Sequence, residues 1–339
     1  MNLRRLIYLG YYFKVTNAKT YWKFLNHTRN KSGKNRFQIL FDNFFSVFKY
    51  NISILEYFQF HFYELSDSER KEWAGTGFMY ETINRLNPKS GREIFSNKTL
   101  FIKNFKDFIN HLSFSLNELE KDPLLFEKLR SNNSGKLILK STYGQCGRGI
   151  VRVDTKDLTF ERLKRKMKET NNDIAEEFVN QHPDLMKLSP SGLNTLRLIT
   201  QLNNQEEVEF LGARLRITIN SIIDNLAAGN IAAPVDLNSG MVEGPGVYSD
   251  ITKEDVYVHP LTSESIVGFQ VPFFKESIEL VKKAALSNKI NTSIGWDVAI
   301  TADGPSLIEG NHDWCKLLWQ LPVKKGLKKE LEKYIPHSR

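Results

Sequence analysis

The sequence is short of cysteine, of long apolar runs and, near its start, of acidic residues, and each shortage narrows what the protein can be. Cys146 and Cys315 are the only cysteines in 339 residues, and neither has metal-type spacing to a partner, so neither a disulfide framework nor a cysteine-bound metal is expected. No apolar stretch approaches the roughly 18 to 20 residues that a membrane-spanning helix needs. The opening Met1-Asn-Leu-Arg-Arg5-Leu-Ile-Tyr-Leu-Gly10 lacks the apolar core and small-residue cleavage site of a secretion signal, and a cytoplasmic protein is expected. Between Met1 and Phe41 there are nine Lys or Arg and no Asp or Glu. The whole chain has 47 basic and 39 acidic residues, so the remainder carries 47 − 9 = 38 basic against 39 acidic, and the basic excess belongs to this arm alone. Interleaved with Tyr8, Tyr11, Tyr12, Phe13, Tyr21, Trp22 and Phe24, the arm suits an anionic membrane surface, which would place the protein peripherally on the inner face, or an anionic, lipid-linked substrate. The alternative is a basic helical lobe packed on the rest of the chain. Nucleic acid is not expected as a partner, because no recognisable nucleic-acid module is present and the basicity is confined to one segment.

What the sequence does contain is concentrated in two motifs. Ile294-Gly-Trp-Asp297 through Glu309-Gly-Asn311 reads as a β-hairpin, with short apolar strands at Val298–Ile300 and Ser306–Ile308 and the turn Ala302-Asp-Gly-Pro305 between them. The hairpin folds Asp297 back beside Glu309. Glu309 and Asn311 are two residues apart and share a strand face, so two carboxylates and an amide oxygen converge in a set that suits Mg²⁺. Upstream, Lys136-Leu-Ile-Leu-Lys140 leads into a loop carrying Gly144, Gly147 and Gly149, and Ile150-Val-Arg-Val153 leads out. A flexible hairpin of this kind can fold its N–H groups over phosphates. It is neither a Walker loop, since no Gly-Lys-Ser/Thr follows, nor a dinucleotide fingerprint, since a strand follows it. The His-Arg-Asp and Asp-Phe-Gly tripeptides of protein kinases do not occur.

Along the chain, residues 1–85 read as a basic, aromatic-rich helical region, with Phe44, Phe45, Phe48, Tyr57, Phe58, Phe60, Phe62 and Tyr63 expected in its core. Residues 86–130 are helix-rich, 131–180 hold the glycine hairpin, 181–325 the metal hairpin, and 326–339 form a basic tail. Phe160–Lys168 is expected as a helix and Asp173–Val179 as an edge strand running into a connector. Leu196–Leu202 and Val208–Ile219 are expected strands, and Phe274, Ile278, Val281 and Ala285 lie on one helical face. With 41% hydrophobic residues the chain can bury a substantial core in two or three lobes. Helices followed by hairpin-rich lobes indicate an α+β fold rather than a doubly wound sheet.

With the lysine and glycine loop, Glu176-Glu-Phe-Val179 and the Asp…Glu-x-Asn ending in one order, the chain resembles the ATP-grasp superfamily. Asn194-Thr-Leu-Arg197, Gly212-Ala-Arg-Leu-Arg216, Asp224-Asn225 and Gly295-Trp-Asp297 resemble its sugar-transfer-associated family over about residues 75–320. The resemblance implies two α+β lobes clamping ATP, and a carboxylate phosphorylated to an acyl phosphate that an amine then captures. Lys140, and Lys98 in an Asn-Lys pair where the family has Asp-Lys, would neutralise the α- and β-phosphates under Gly144, Gly147 and Gly149. Glu176, Glu177 and Val179 would form the adenine hinge, with Phe178 packing nearby and His182 and Asp184 near the ribose. Arg197, Arg214 and Arg216 would stabilise the transferring phosphoryl group, assisted by Asn225 near the acceptor. Asp297, Glu309 and Asn311 would hold two Mg²⁺ ions, with Mn²⁺ as a substitute. Gly229-Asn230 departs from the paired glycines frequent in this family. The implied substrates are a small carboxylate and an amine, one borne on a sugar, sugar nucleotide or lipid-linked sugar in polysaccharide assembly. An ATP-dependent phosphotransferase acting on a sugar or lipid carrier, and a non-catalytic ATP-binding accessory protein of glycosyl transfer, are the alternatives.

Overall fold

The computed structural model describes residues 3–144, 147, 149–221 and 225–335. Cys146 and Asp224 lie outside the described residues, and Cys315 is an exposed free thiol. The chain begins with three helices, α1 (Leu3–Val15), α2 (Ala18–Ser32) and α3 (Arg36–Tyr50). Local chemistry sets their limits. The Asn17 side chain caps α2 by accepting from the Thr20 N–H, and Gly33 ends the helix at a φ of 68° that favours glycine. Asn35 and Gln38 form a reciprocal capping box at the start of α3.

Tyr57, Phe58, Phe60 and Phe62 are buried with Phe24, Leu25 and Ile39 in an aromatic core, as their apolar character requires. Phe44 and Phe45 correct the expectation: both are half exposed. Ile39, Asn43, Val47 and Tyr50 form the inward face of α3, and at 100° per residue Phe41, Phe44 and Phe45 fall on the opposite side.

Two antiparallel sheets follow. The first contains β1 (Ser113–Ser115), β2 (Lys136–Lys140), β3 (Val151–Asp154) and β4 (Ile174–Glu177), in the order β1-β4-β2-β3. β4 is therefore internal rather than an edge, because β1, too short for its periodicity to be read, pairs with it from Ser113 to Ser115. The second contains β5 (Thr195–Leu202), β6 (Val208–Ile217), β7 (Ile231–Val235), β8 (Ser293–Thr301) and β9 (Gly304–Asn311), in the order β7-β6-β5-β8-β9. Its apolar face carries Leu196, Leu198, Leu215, Trp296 and Val298 against Phe274, Val281, Ala284 and Ala285 of the helix Phe274–Ser287. Residues 178–194 connect the sheets. This connector lies along β8, where the His182 N–H donates to the Ile300 carbonyl at 2.7 Å.

Candidate functional site

The opposite face of the second sheet is polar, and its register explains why. Arg214 on β6 is directly paired with Arg197 on β5, Arg197 with Asp297 on β8, and Asp297 with Glu309 on β9. Cross-strand partners share a face, so this single row across four strands puts two guanidinium groups and two carboxylates on one side. Arg216 and Asn311 lie two residues further along their strands and join the same face. Gly295 belongs to it as well. A Cβ there would come within 2.7 Å of the Trp314 Cβ, so glycine is what lets Trp314 pack beside the row.

Asp297 is the electrostatic centre of the row. Arg197 binds it through both ends, Nε to Oδ1 at 2.5 Å and Nη2 to Oδ2 at 2.8 Å, and Arg216 Nη1 reaches Oδ2 at 2.8 Å. Burial alone would raise the Asp297 carboxyl, but the two guanidinium groups outweigh burial and hold it well below the usual carboxylate range. Arg214 stands apart from this triad. Its Nε and Nη2 donate to the Trp319 carbonyl at 3.1 and 2.5 Å, and burial pushes its pKa down to about 10.

Lys140, at the end of β2, is buried, and its Nζ lies 2.6 Å from the Glu176 carboxylate. Glu176 also accepts from the Ser113 hydroxyl at 2.8 Å. Burial would raise this carboxyl, yet the Lys140 charge, His111 and these hydrogen bonds hold it below its ordinary value. Lys98 stands at the start of the helix Lys98–Asn104, where the Asn97 side chain accepts from the Leu100 N–H at 3.0 Å as an aspartate would. Its ammonium donates to the Gly144 carbonyl. Desolvation lowers its pKa, opposed by the charge of Glu309 from one sheet and of Glu176 from the other. The Lys98 N–H also donates to the Thr142 carbonyl at 3.1 Å, and the helix it opens packs Phe101 beside Gly310 of β9, so Lys98 stands between the glycine loop and the second sheet.

Two residues that the sequence did not single out grip the glycine loop at both ends. Asp173 accepts from the Thr142 N–H at 2.6 Å, and the Asn172 amide donates to the Gly149 carbonyl at 3.0 Å. Gly147 and Gly149 have φ of 72° and 76°, the left-handed region that glycine adopts without strain. The only signal in the sequence was the position of Asn172-Asp173 before β4, which turn chemistry alone would explain. His111 was missed too. Its segment ties the sheets together, the Asn110 N–H donating to the Ser306 hydroxyl of β9 at 2.9 Å.

The remaining expected residues are less convergent. The Glu177 N–H is used by the Leu112 carbonyl and the Phe178 N–H by the Lys136 carbonyl, whereas the Val179 main chain makes no hydrogen bond among the described residues. The Lys136 ammonium lies 5.7 Å from the centre of the Phe178 ring. His182 caps the helix Pro183–Leu188 by accepting from the Asp184 N–H, and Asp184 points largely to solvent. Asn225 caps a short turn that ends at Gly229, φ 89°, and the buried Asn230 ties that turn to the segment after β6 by accepting from the Ile219 N–H at 2.7 Å and donating to the Asn225 carbonyl at 3.1 Å.

The donor set fits a hard divalent cation in part. Among the described residues no group of three or more His, Cys, Asp or Glu side chains is arranged to hold a metal. Glu309 and Asn311 share a face and touch, Asn311 Nδ2 donating to Glu309 Oε1 at 3.2 Å, so the amide nitrogen faces the carboxylate and the amide must turn over to present its oxygen beside it as the hard-oxygen pair that Mg²⁺ takes. Asp297 faces Glu309 but already serves the two arginines.

The family described as sugar-transfer associated ATP-grasp matches residues 78–335, more than half of the chain. No curated protein matches. Solved structures that resemble the chain include biotin carboxylase from Campylobacter jejuni with a β,γ-ATP ligand, at 12% identity and TM-score 0.46, over 75% of this chain and 49% of that one. N5-carboxyaminoimidazole synthetase from Staphylococcus aureus with ADP gives 12% identity and TM-score 0.40, over 69% of this chain and 52% of that one. The ATP-grasp ligase PsnB with a precursor peptide and AMPPNP gives 13% and 0.43, over 74% of this chain and 63% of that one. The chain thus spans about half to three fifths of the length of these proteins.

Proposed function

Since the chain belongs to the sugar-transfer associated ATP-grasp family, we propose that it is an ATP- and Mg²⁺-dependent carboxylate–amine ligase acting on a sugar-bearing precursor of cell-surface polysaccharide. The observation that carries this reading is the setting of Lys98, whose N–H and ammonium hold the glycine loop at the Thr142 and Gly144 carbonyls while the helix it opens packs Phe101 beside Gly310 of β9. In the proposed mechanism the free main chain of Val179, beside Phe178, reads adenine. The glycine loop covers the phosphates, and Lys98 and Lys140 offset their charge. Glu309 and Asn311 would hold Mg²⁺, joined by Asp297 when an arginine yields an oxygen. A bound metal would supply charge neutralisation for the phosphates.

The chain's own groups then allow two anions to meet. A substrate carboxylate oxygen attacks the γ-phosphorus, the bond to the ADP oxygen breaks, and an acyl phosphate forms. Arg216 and Arg197 offset the charge that accumulates there. The amine attacks the acyl carbon, phosphate departs, and the amine's proton passes to solvent or a phosphate oxygen. Closure of the loop held by Asn172 and Asp173 keeps water from the acyl phosphate.

ADP and phosphate release, measured with uronic acid derivatives in the presence and absence of amines, tests the reading. A ligase releases both products in step with amide formation. A stable phosphorylated acceptor would instead identify a phosphotransferase, and ATP binding without turnover an accessory protein.

A further inference from the structure

Helix α3 has two apolar faces, and only one of them is covered. Phe37 is 84% exposed and Phe41 73% exposed, with Phe44 and Phe45 half exposed beside them. Their spacing of 4, 3 and 1 residues makes a single stripe on the solvent side of the helix. The stripe continues into a groove of about 450 Å³ between the three N-terminal helices, lined by Leu9, Phe13, Trp22, Leu40 and Phe44. Ile7 and Tyr11, one turn apart on α1, are also exposed. An apolar surface of this extent on an otherwise well-packed protein marks a contact site.

The unpaired charge around it is basic, since Asp42, next to Phe41 on α3, is taken up by Arg70 at 2.7 Å. Lys14, Lys19, Arg29 and Arg36 are exposed and have no acidic partner among the described residues, and no acidic side chain occurs before Asp42. Lys14 and Lys19 adjoin the groove residues Phe13 and Ala18, and Arg36 adjoins Phe37. A second copy of the chain docked about a two-fold axis would set these like charges against each other, which disfavours self-association. A bilayer with anionic headgroups satisfies both features at once: basic side chains meet the headgroups while phenylalanines enter the acyl boundary. No described helix is long and apolar enough to cross a membrane, so the contact is interfacial.

We infer that the solvent face of α1–α3 is a docking surface for an anionic membrane leaflet, with Phe37 and Phe41 as inserted anchors. The inference is independent of the ligase chemistry. Co-sedimentation of the full chain with vesicles of phosphatidylcholine alone, and of phosphatidylcholine mixed with phosphatidylglycerol, tests it at low and high salt. Binding to the anionic vesicles is expected to exceed that to neutral ones about tenfold or more at low salt, and to weaken as salt shortens the Debye length. Phe37→Ser with Phe41→Ser, and separately Lys14→Gln with Lys19→Gln and Arg36→Gln, should each release the protein about tenfold while leaving ATP affinity and thermal unfolding unchanged. These side chains are exposed, so the variants fold. Absence of binding to anionic vesicles at low salt overturns the inference, as does binding that neither variant reduces. A dimer in solution that the phenylalanine variant dissolves, without vesicle binding, would assign the face to a second copy.

Discussion

Lys140 shows how a residue's surroundings change what its mutation reports. Its 2.6 Å pairing with Glu176 means that Lys140→Ala strands a buried carboxylate, which costs about 3–5 kcal/mol in addition to any lost phosphate contact. The single variant should therefore lose stability and ATP affinity together. Lys140→Met combined with Glu176→Gln removes both charges and should recover most of the stability, while ATP affinity stays about tenfold or more below wild type. Calorimetric titration alongside thermal unfolding separates the two effects, and recovered ATP affinity in the double variant would remove Lys140 from the proposed phosphate site. Asp297 gives a pH prediction. Its folded pKa lies below the ordinary 3.8, so its contribution is fully present above that value and is lost as pH falls through the folded one. Asp297→Asn should accordingly flatten the acid limb of a urea-midpoint profile below about pH 4. The carboxylates and arginines of this face could be picked out in the sequence because strand periodicity and hairpin turns place them. The pairing of Asp297 with two arginines could not, since it depends on which strands become neighbours.

At the scale of elements, the second sheet orders the polar row and the first sheet carries the glycine hairpin. The hairpin ending at Asn311 was readable from the Asp-Gly turn and flanking apolar residues, whereas β1, three residues long, left no periodic trace and so placed β4 at an edge it does not occupy. The loop's anchorage is likewise tertiary. Asn172→Ala and Asp173→Ala each remove one hydrogen bond that holds an end of the loop, at about 1 kcal/mol for a neutral contact and up to about 3 kcal/mol for one to a charged group. Each variant is expected to raise the KM for ATP several-fold and to increase amide exchange in residues 141–149, with global unfolding little changed. Unaltered exchange in that segment would show that the two side chains do not hold the loop.

Across the whole molecule, the N-terminal helices and the C-terminal segment are joined at one buried carboxylate. Glu56 accepts from the Ser53 and Thr76 N–H groups at 2.7 and 2.9 Å and from the Lys316 ammonium at 3.0 Å. Lys316 precedes Trp319, whose carbonyl holds Arg214 on the polar face of the second sheet. Glu56→Ala should lower stability by about 3–5 kcal/mol, because it leaves the half-buried Lys316 ammonium and the Ser53 and Thr76 N–H groups without their partner. The basic, aromatic-rich helical start over residues 1–85 was readable, but its caps and this long-range tie were not, since Glu56 and Lys316 are ordinary surface residue types in sequence. The central claim, that the two sheets serve acyl phosphate chemistry, is tested most directly by ¹⁸O transfer. A sugar carboxylate labelled at both oxygens, incubated with ATP, Mg²⁺ and an amine, should deliver one labelled oxygen to inorganic phosphate for each amide formed, with ADP as the nucleotide product. Unlabelled phosphate, or label in AMP with release of pyrophosphate, would contradict the account.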